Sequence, residues 1–255
     1  MEFAVTVVMR IIGRAALIET LTAHALAGHA VLAYGPRGIG ASALLDACEA
    51  RLRTIGRRSV RVKRLASYAD LMGPLSRAYK DAAHTPKALL QPHIERDPAV
   101  LLVDRVERGG AMVRREIREF GAIGLGAILA GQADTPREHA YLRSLRLAHR
   151  EIAIPPLDGD AMQRILDAHL APASATQLTK TDRARALRVA AGRPGILVAL
   201  MRMLAQPRYW HAGRPALDLA ASDLAIEHLG GPTSNSVELK VGGSTSAERA
   251  RRERG

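Results

Sequence analysis

The residues whose types and spacing suit chemistry begin at Gly35. Gly35-Pro36-Arg37-Gly38-Ile39-Gly40-Ala41-Ser42 follows the apolar run Val31 to Tyr34 and opens into Ala43-Leu-Leu-Asp-Ala-Cys48, which reads as an amphipathic helix. Glycines let the chain turn tightly enough to present successive backbone N–H groups to a phosphate. The helix behind adds about half a positive charge at its N-terminus. The phosphate-loop pattern is G-x-x-x-x-G-K-[ST], and every position fits except the lysine, which is Ala41. Ser42 offers a hydroxyl to Mg²⁺. Asp104, closing the buried run Ala99-Val-Leu-Leu-Val103, is placed to hold the same ion from the other side. An aspartate at a strand end also serves as a helix cap, so Asp104 has a purely structural alternative.

These residues need a frame, and the patterning supplies one. Apolar stretches at Val31–Tyr34, Ser59–Leu65, Ala99–Val103, Ala122–Gly131 and Glu151–Pro155 predict strands. Helical spacing fills the intervals: Ala15–Leu26, Ser42–Thr54, Asp70–Ala83, Ala88–Arg96, Val113–Phe120 and Arg137–His149. Strands alternating with helices predict an α/β three-layer core with a five-stranded, largely parallel sheet. From Pro156 the pattern is helical only. Asp160-Ala-Met-Gln163 resembles a capping box opening a helix to Leu170, and further helices start at Asp182, Ile196 and Leu217, with a break at Gly192-Arg-Pro-Gly195. The expected division is a core over 1–156, a small all-helical lid over 157–229 and a disordered basic tail over 230–255.

Composition narrows the function classes. Aromatics make up only 3% of the 255 residues, so the core must be aliphatic. The single Cys48 excludes an internal disulfide framework, suits a reducing cytoplasm and reads as a buried apolar side chain. Phe3–Ile12 is too short to span a bilayer and carries Arg10, so neither membrane nor export signal is expected; Met9 is an alternative start. A net charge of +12 points to a polyanionic partner such as nucleic acid, or to a solvated arginine-rich surface. Arg57, Arg58, Arg61, Lys63, Arg64 and Arg249–Arg254 are the candidate phosphate contacts, and with few aromatics such binding would be electrostatic. The scattered histidines show no H-E-x-x-H, and Gly-x-Ser-x-Gly is absent, so metal hydrolysis and serine nucleophile chemistry lack a motif.

Gly13-Arg14, the phosphate loop, Val100-Leu-Leu-Val-Asp104, Ile128-Leu-Ala-Gly-Gln132 and the helical end together resemble an AAA+ ATPase over roughly residues 12–205. The strand ending in Ala-Gly-Gln, Leu142-Arg-Ser-Leu-Arg146 and Pro155-Pro-Leu157 is similar to the branch of ExeA-type secretion ATPases and the transposition regulators TnsC, TniB and MuB. The resemblance implies ATP or ADP with Mg²⁺ in the cradle Gly35 to Ala43, with Asp104 as the Walker B acid and Gln132 as the sensor 1 group. It implies that one of Arg143, Arg146 or Arg150 reaches a neighbouring subunit's nucleotide, although these arginines equally suit a solvated helix face. Self-association follows from the resemblance alone.

Three departures share one direction. The loop lysine is Ala41, the acid after Asp104 is Arg105, and the lid's Gly-x-Pro-Arg reads Gly192-Arg-Pro-Gly195, with the arginine displaced to Arg193. Losing one charge-assisted contact costs about 1.5–3 kcal/mol of binding, whereas losing a general base costs about 10²–10⁴ in rate. Hydrolysis therefore suffers more than binding. The expectation is a degenerate AAA+ protein acting as a regulatory or scaffold subunit, DNA-associated, in a homo-oligomer or with an active partner. Two alternatives stay open. One is an active ATPase in which Arg37 (or Arg105) lends the charge and Glu107 reaches toward water. The other is an NAD(P)-binding oxidoreductase, since Gly38-Ile-Gly40-Ala-Ser-Ala43 satisfies G-x-G-x-x-A.

Overall fold

The computed structural model describes residues 12–79, 87–108, 110–169 and 178–228. The apolar opening before Ile12, the end of the predicted third helix, Leu170, Leu229 and the tail 230–255 lie outside these residues.

Five strands are present: β1 (Ala30–Gly35), β2 (Ser59–Val62), β3 (Val100–Val103), β4 (Gly126–Gln132) and β5 (Arg150–Ala153). They pair in the order β2-β3-β4-β1-β5, every pair parallel. The period of two along each strand sorts its side chains between two cores. Val31, Ala33, Val100, Leu102, Ile128 and Ala130 pack with α1 (Ala15–Leu26) and α2 (Ala41–Thr54) through Leu21, Leu44, Leu45 and Cys48. Leu32, Leu101, Val103, Ala127 and Leu129 face α3 (Tyr68–Ala78), α4 (Lys87–Arg96), α5 (Ala111–Ala122) and α6 (Pro136–Ser144). The predicted three-layer arrangement is present. Its strand order excludes the dinucleotide alternative, in which the first strand lies beside the second and fourth; here β1 lies between β4 and β5, and β2 is at the edge.

Several boundaries move for local reasons. Ile117 and Phe120 bury one face of α5 and carry it to Ala122, so β4 starts at Gly126, after a turn at Gly124 with φ 98°. Leu65 leaves β2 and makes an isolated bridge to Val106. Helix α6 begins with a capping box between Thr135 and Glu138. It ends at Ser144 rather than His149 because Leu145 and Leu147 turn inward around Arg146, whose φ is 49°.

Beyond Pro156, α7 (Gly159–His169), α8 (Lys180–Ala190), α9 (Pro194–Leu204) and α10 (Leu217–His228) share a separate core built on Met162, Leu166, Leu197, Leu200 and Tyr209. The capping residue of α7 is Asp158, whose Oδ1 accepts the Ala161 N–H at 2.7 Å, not the predicted Asp160. Nor is this region helical only. An antiparallel hairpin of β6 (Trp210–His211) and β7 (Arg214–Pro215) turns through Ala212 and Gly213, both at positive φ. Strands of two residues are too short to leave an alternating pattern. Among the described residues no helix is long and apolar enough to cross a membrane.

Candidate functional site

Parallel sheets place functional groups beyond the carboxyl ends of their strands. At that edge β1 ends in the glycine loop, β3 in Asp104, and β4 in Gln132. The loop is shaped from behind by Ile39, which is 3% exposed, packs into the α1–α2 core and donates its N–H to Pro36 O at 3.1 Å. Gly40 sits before α2 at φ 91° and ψ 31°, a left-handed geometry that glycine adopts without steric cost. Ala41 and Ser42 therefore form the first turn of α2, and Ser42 is exposed, its hydroxyl without a hydrogen-bond partner among the described residues.

Asp104 does not cap a helix, since α5 starts only at Ala111. Its Oδ2 accepts from Arg61 Nη2 at 3.1 Å, and its Oδ1 is buried without a hydrogen-bond partner among the described residues. The other amino group of Arg61 lies 3.0 Å from Asp46, one turn beyond Ser42 on α2. Arg61 thus joins the end of β3 to the first half of α2. The sequence had offered Arg61 only as a contact for an external phosphate; an isolated β2 arginine carries no sign of the three acids from other elements, Asp46, Glu49 and Asp104, that face it.

At the neighbouring strand end, Asp134 gathers two of the predicted residues. Its Oδ1 accepts the Arg37 N–H at 2.7 Å, and its Oδ2 accepts from Gln132 Nε2 at 2.6 Å. Glu138 Oε2 accepts the N–H of Asp134 at 2.7 Å and fixes this turn. A carboxylate therefore already occupies one N–H donor of the loop.

The end of α9 presses on the loop from the other side. Gly195 donates its N–H to Gly38 O at 2.8 Å. A Cβ on Gly195 would stand 2.9 Å from Gly38 Cα, so the two backbones touch directly. Arg193 does not make this contact; its Nε donates to Ala190 O at 3.4 Å on the preceding turn. A cation that does reach the loop is Arg14. It is 4% exposed, and a Cβ on Gly40 would lie 3.8 Å from its Nη1. Its Nη2 donates to Pro155 O at 3.1 Å, while Nε and Nη1 are buried without partners among the described residues. Burial pulls its pKa below the ordinary arginine value.

Two solved structures share the fold. The Orc1 protein of Aeropyrum pernix, in complex with DNA, matches with a TM-score of 0.52 at 14% identity, over 86% of this chain and 67% of that one. The AMPPCP-bound DnaA of Aquifex aeolicus matches with a TM-score of 0.50 at 14% identity, over 88% of this chain and 70% of that one. The chain has the AAA+ P-loop ATPase fold. No protein-family profile and no curated protein matches the sequence.

Within this AAA+ fold the three candidate finger arginines differ. Arg143 Nε lies 3.2 Å from Glu151, and Arg150 Nη1 stands 3.3 Å from His24 Nε2. Arg146 is exposed, makes no ion pair among the described residues and lines two cavities. Arg105 and Glu107 lie 3.8 Å apart, and Arg64 also reaches Glu107, at 3.6 Å. Arg105 and Glu107, the two substitutes offered for phosphate and water chemistry, are thus turned to each other.

Proposed function

We propose that this chain is a nucleotide-binding AAA+ module with weak or absent hydrolysis, acting as a regulatory or scaffold subunit associated with DNA. The motifs at Gln132, Leu142–Arg146 and Pro155–Leu157 favour a role of the ExeA and TnsC-TniB-MuB type. Residues 1–156 form the nucleotide core, 157–229 the lid and 230–255 a basic tail. The observation that carries the reading is a set of buried polar atoms of opposite charge without hydrogen-bond partners among the described residues: Nε and Nη1 of Arg14 against the loop, and Oδ1 of Asp104 at the end of β3. Buried groups of this kind are normally satisfied, and ATP or ADP with Mg²⁺ fits both.

The glycine loop from Gly35 to Ala43 would seat the phosphates on its N–H groups and on the α2 N-terminus. Ser42 and Asp104 Oδ1 would hold the cation, and Arg14 would supply positive charge where Ala41 supplies none. Bound Mg²⁺ neutralises phosphate charge. Gly195, bonded to Gly38, couples the loop to α9 and so relays occupancy to the helical region. Arg105 offers no carboxylate to orient water, which disfavours turnover. DNA association and assembly with further copies or an active partner fit the charge of +12.

Calorimetry with ATP and with ADP, each with Mg²⁺, followed by phosphate release over hours, tests the proposal. Binding with negligible turnover supports it. Brisk turnover overturns the regulatory reading and favours the active alternative with Arg37; no binding overturns the nucleotide reading.

A further inference from the structure

The basic residues that the sequence offers for nucleic acid on and around β2 are largely consumed inside the molecule. Arg58 pairs with Asp97 at 2.8 Å and lies over the Tyr79 ring, 5.1 Å from its centre. Arg57 donates to Pro98 O at 3.1 Å, Arg61 is held by Asp46 and Asp104, and Arg64 lies 3.6 Å from Glu107. The ion-paired guanidiniums of Arg58, Arg61 and Arg64 leave little net field for a phosphate backbone, while Arg57 is tied to a backbone carbonyl.

Uncompensated charge lies elsewhere. The spacing in α5 puts Ala111, Arg114, Arg115 and Arg118 on one face, opposite the buried Val113, Ile117 and Phe120. Only Arg115 is neutralised, by Glu116 at 3.2 Å and Glu119 at 3.7 Å. Arg114 and Arg118 make no ion pair among the described residues. Together with Arg146 they line a cavity of about 500 Å³. The buried Leu145 and Leu147 flank Arg146 and leave its own side chain exposed. Its φ of 49° is a conformation that L side chains rarely adopt. Arg146 also lines an adjoining cavity of about 140 Å³, where Arg143 and Glu151 pair with each other and Arg146 does not share in that pair.

We infer that the cleft formed by Arg114, Arg118 and Arg146 is the site at which this protein binds the phosphate backbone of nucleic acid. Glu119 also lines the cavity but is drawn to Arg115 at 3.7 Å, and three guanidiniums without an ion pair among the described residues suit a run of phosphates. No aromatic residue lines the cavity to stack a base, so recognition is independent of sequence and steeply dependent on salt. The inference deepens the DNA half of the proposed function and does not depend on nucleotide.

The test is anisotropy of a labelled duplex with the full chain from about 50 to 200 mM salt. Four forms are compared: native, the triple variant R114Q/R118Q/R146Q, its lysine counterpart R114K/R118K/R146K, and the control R58Q/R64Q. The glutamine triple should lose roughly tenfold or more in affinity at low salt, and its log–log salt slope should fall by about 0.9 for each phosphate contact removed. The lysine triple should keep binding, because a point charge suffices for a backbone phosphate. The control should bind like the native chain. Native binding with an unchanged glutamine triple overturns the site alone, and equal losses in triple and control reduce it to a general charge effect. No salt-dependent binding by the native chain overturns the DNA reading itself. Unchanged DNA binding with altered ATP-dependent self-association assigns the arginines to a neighbouring subunit's nucleotide and overturns the inference.

Discussion

The Asp134 carboxylate accepts the backbone N–H of Arg37 at 2.7 Å while its other oxygen accepts from Gln132 at 2.6 Å. A negative charge therefore sits on the rim of the loop proposed to receive phosphates. A third phosphate adds charge near that rim, so Asp134 should favour diphosphate over triphosphate. Both partners are exposed, and solvent limits the effect to about 1 kcal/mol. Asp134→Asn should raise affinity for ATP relative to ADP by roughly fivefold, read by calorimetry. An unchanged ratio would remove Asp134 from nucleotide selection.

Arg14 gives a prediction with two opposite signs. A buried guanidinium with two unpartnered nitrogens is unfavourable for the empty protein. Arg14→Met should therefore leave the nucleotide-free chain as stable or more stable, by about 1–3 kcal/mol. The same variant should lose the rise in Tm that ATP or ADP gives the native chain. If Arg14→Met simply unfolds the protein, Arg14 is a structural residue, packed through its stem and its bond to Pro155 O.

Much of this was legible in the sequence. The apolar run before Asp104 and the glycines after β1 fixed strand ends because both signals are local, and both landed at one sheet edge. Arg14 was visible only as half of a Gly-Arg pair, since burial of a guanidinium depends on α9 and the Pro155 segment closing over it. Asp134 gave no signal because its partner is 97 residues away in sequence. Arg193 was read from a motif position, yet its side chain follows the C-terminal turn of α8. Arg114 and Arg118 carry no role in the sequence, which shows only a helix over Val113–Phe120; their significance depends on Arg146, which has a positive φ and lines the same cavity.

Ala41 and Arg105 separate binding from turnover. Ala41→Lys restores a charge-assisted contact worth about 1.5–3 kcal/mol, so ATP affinity should rise by about tenfold or more. Phosphate release should stay low, because Arg105 still stands where a carboxylate would orient water. Adding Arg105→Glu should then raise turnover by about 10²-fold or more. Fast hydrolysis by Ala41→Lys alone would show that some other group already activates water.

The thiol of Cys48 is fully buried between α2 and the sheet, and burial pushes its pKa up to about 12. In the folded chain it should resist maleimide at pH 8, where almost none is thiolate, and react once the chain is denatured. The sign for stability follows from the raised value. The contribution is complete below the ordinary thiol pKa near 8.5 and is lost as pH rises from there toward about 12. Rapid labelling of the native protein would contradict the packing of α2.

The contact between Gly38 and Gly195 joins the phosphate loop to α9 without an intervening side chain. A Cβ on Gly195 would meet Gly38 Cα at 2.9 Å and Gly38 O at 3.0 Å, and both are backbone atoms that cannot swing away. Gly195→Ala should therefore push the N-terminus of α9 off the loop. The expected cost is about 1–3 kcal/mol, the usual range for an overpacked contact, read as a lower denaturation midpoint. Hydrogen exchange should rise at the Gly195 amide, which loses its 2.8 Å bond to Gly38 O. Exchange in β1, β3 and β4 should hold, because their cores are packed independently of α9. If Gly195→Ala leaves both readings unchanged, the contact carries no coupling between nucleotide and the helical region, and that step of the proposed function fails.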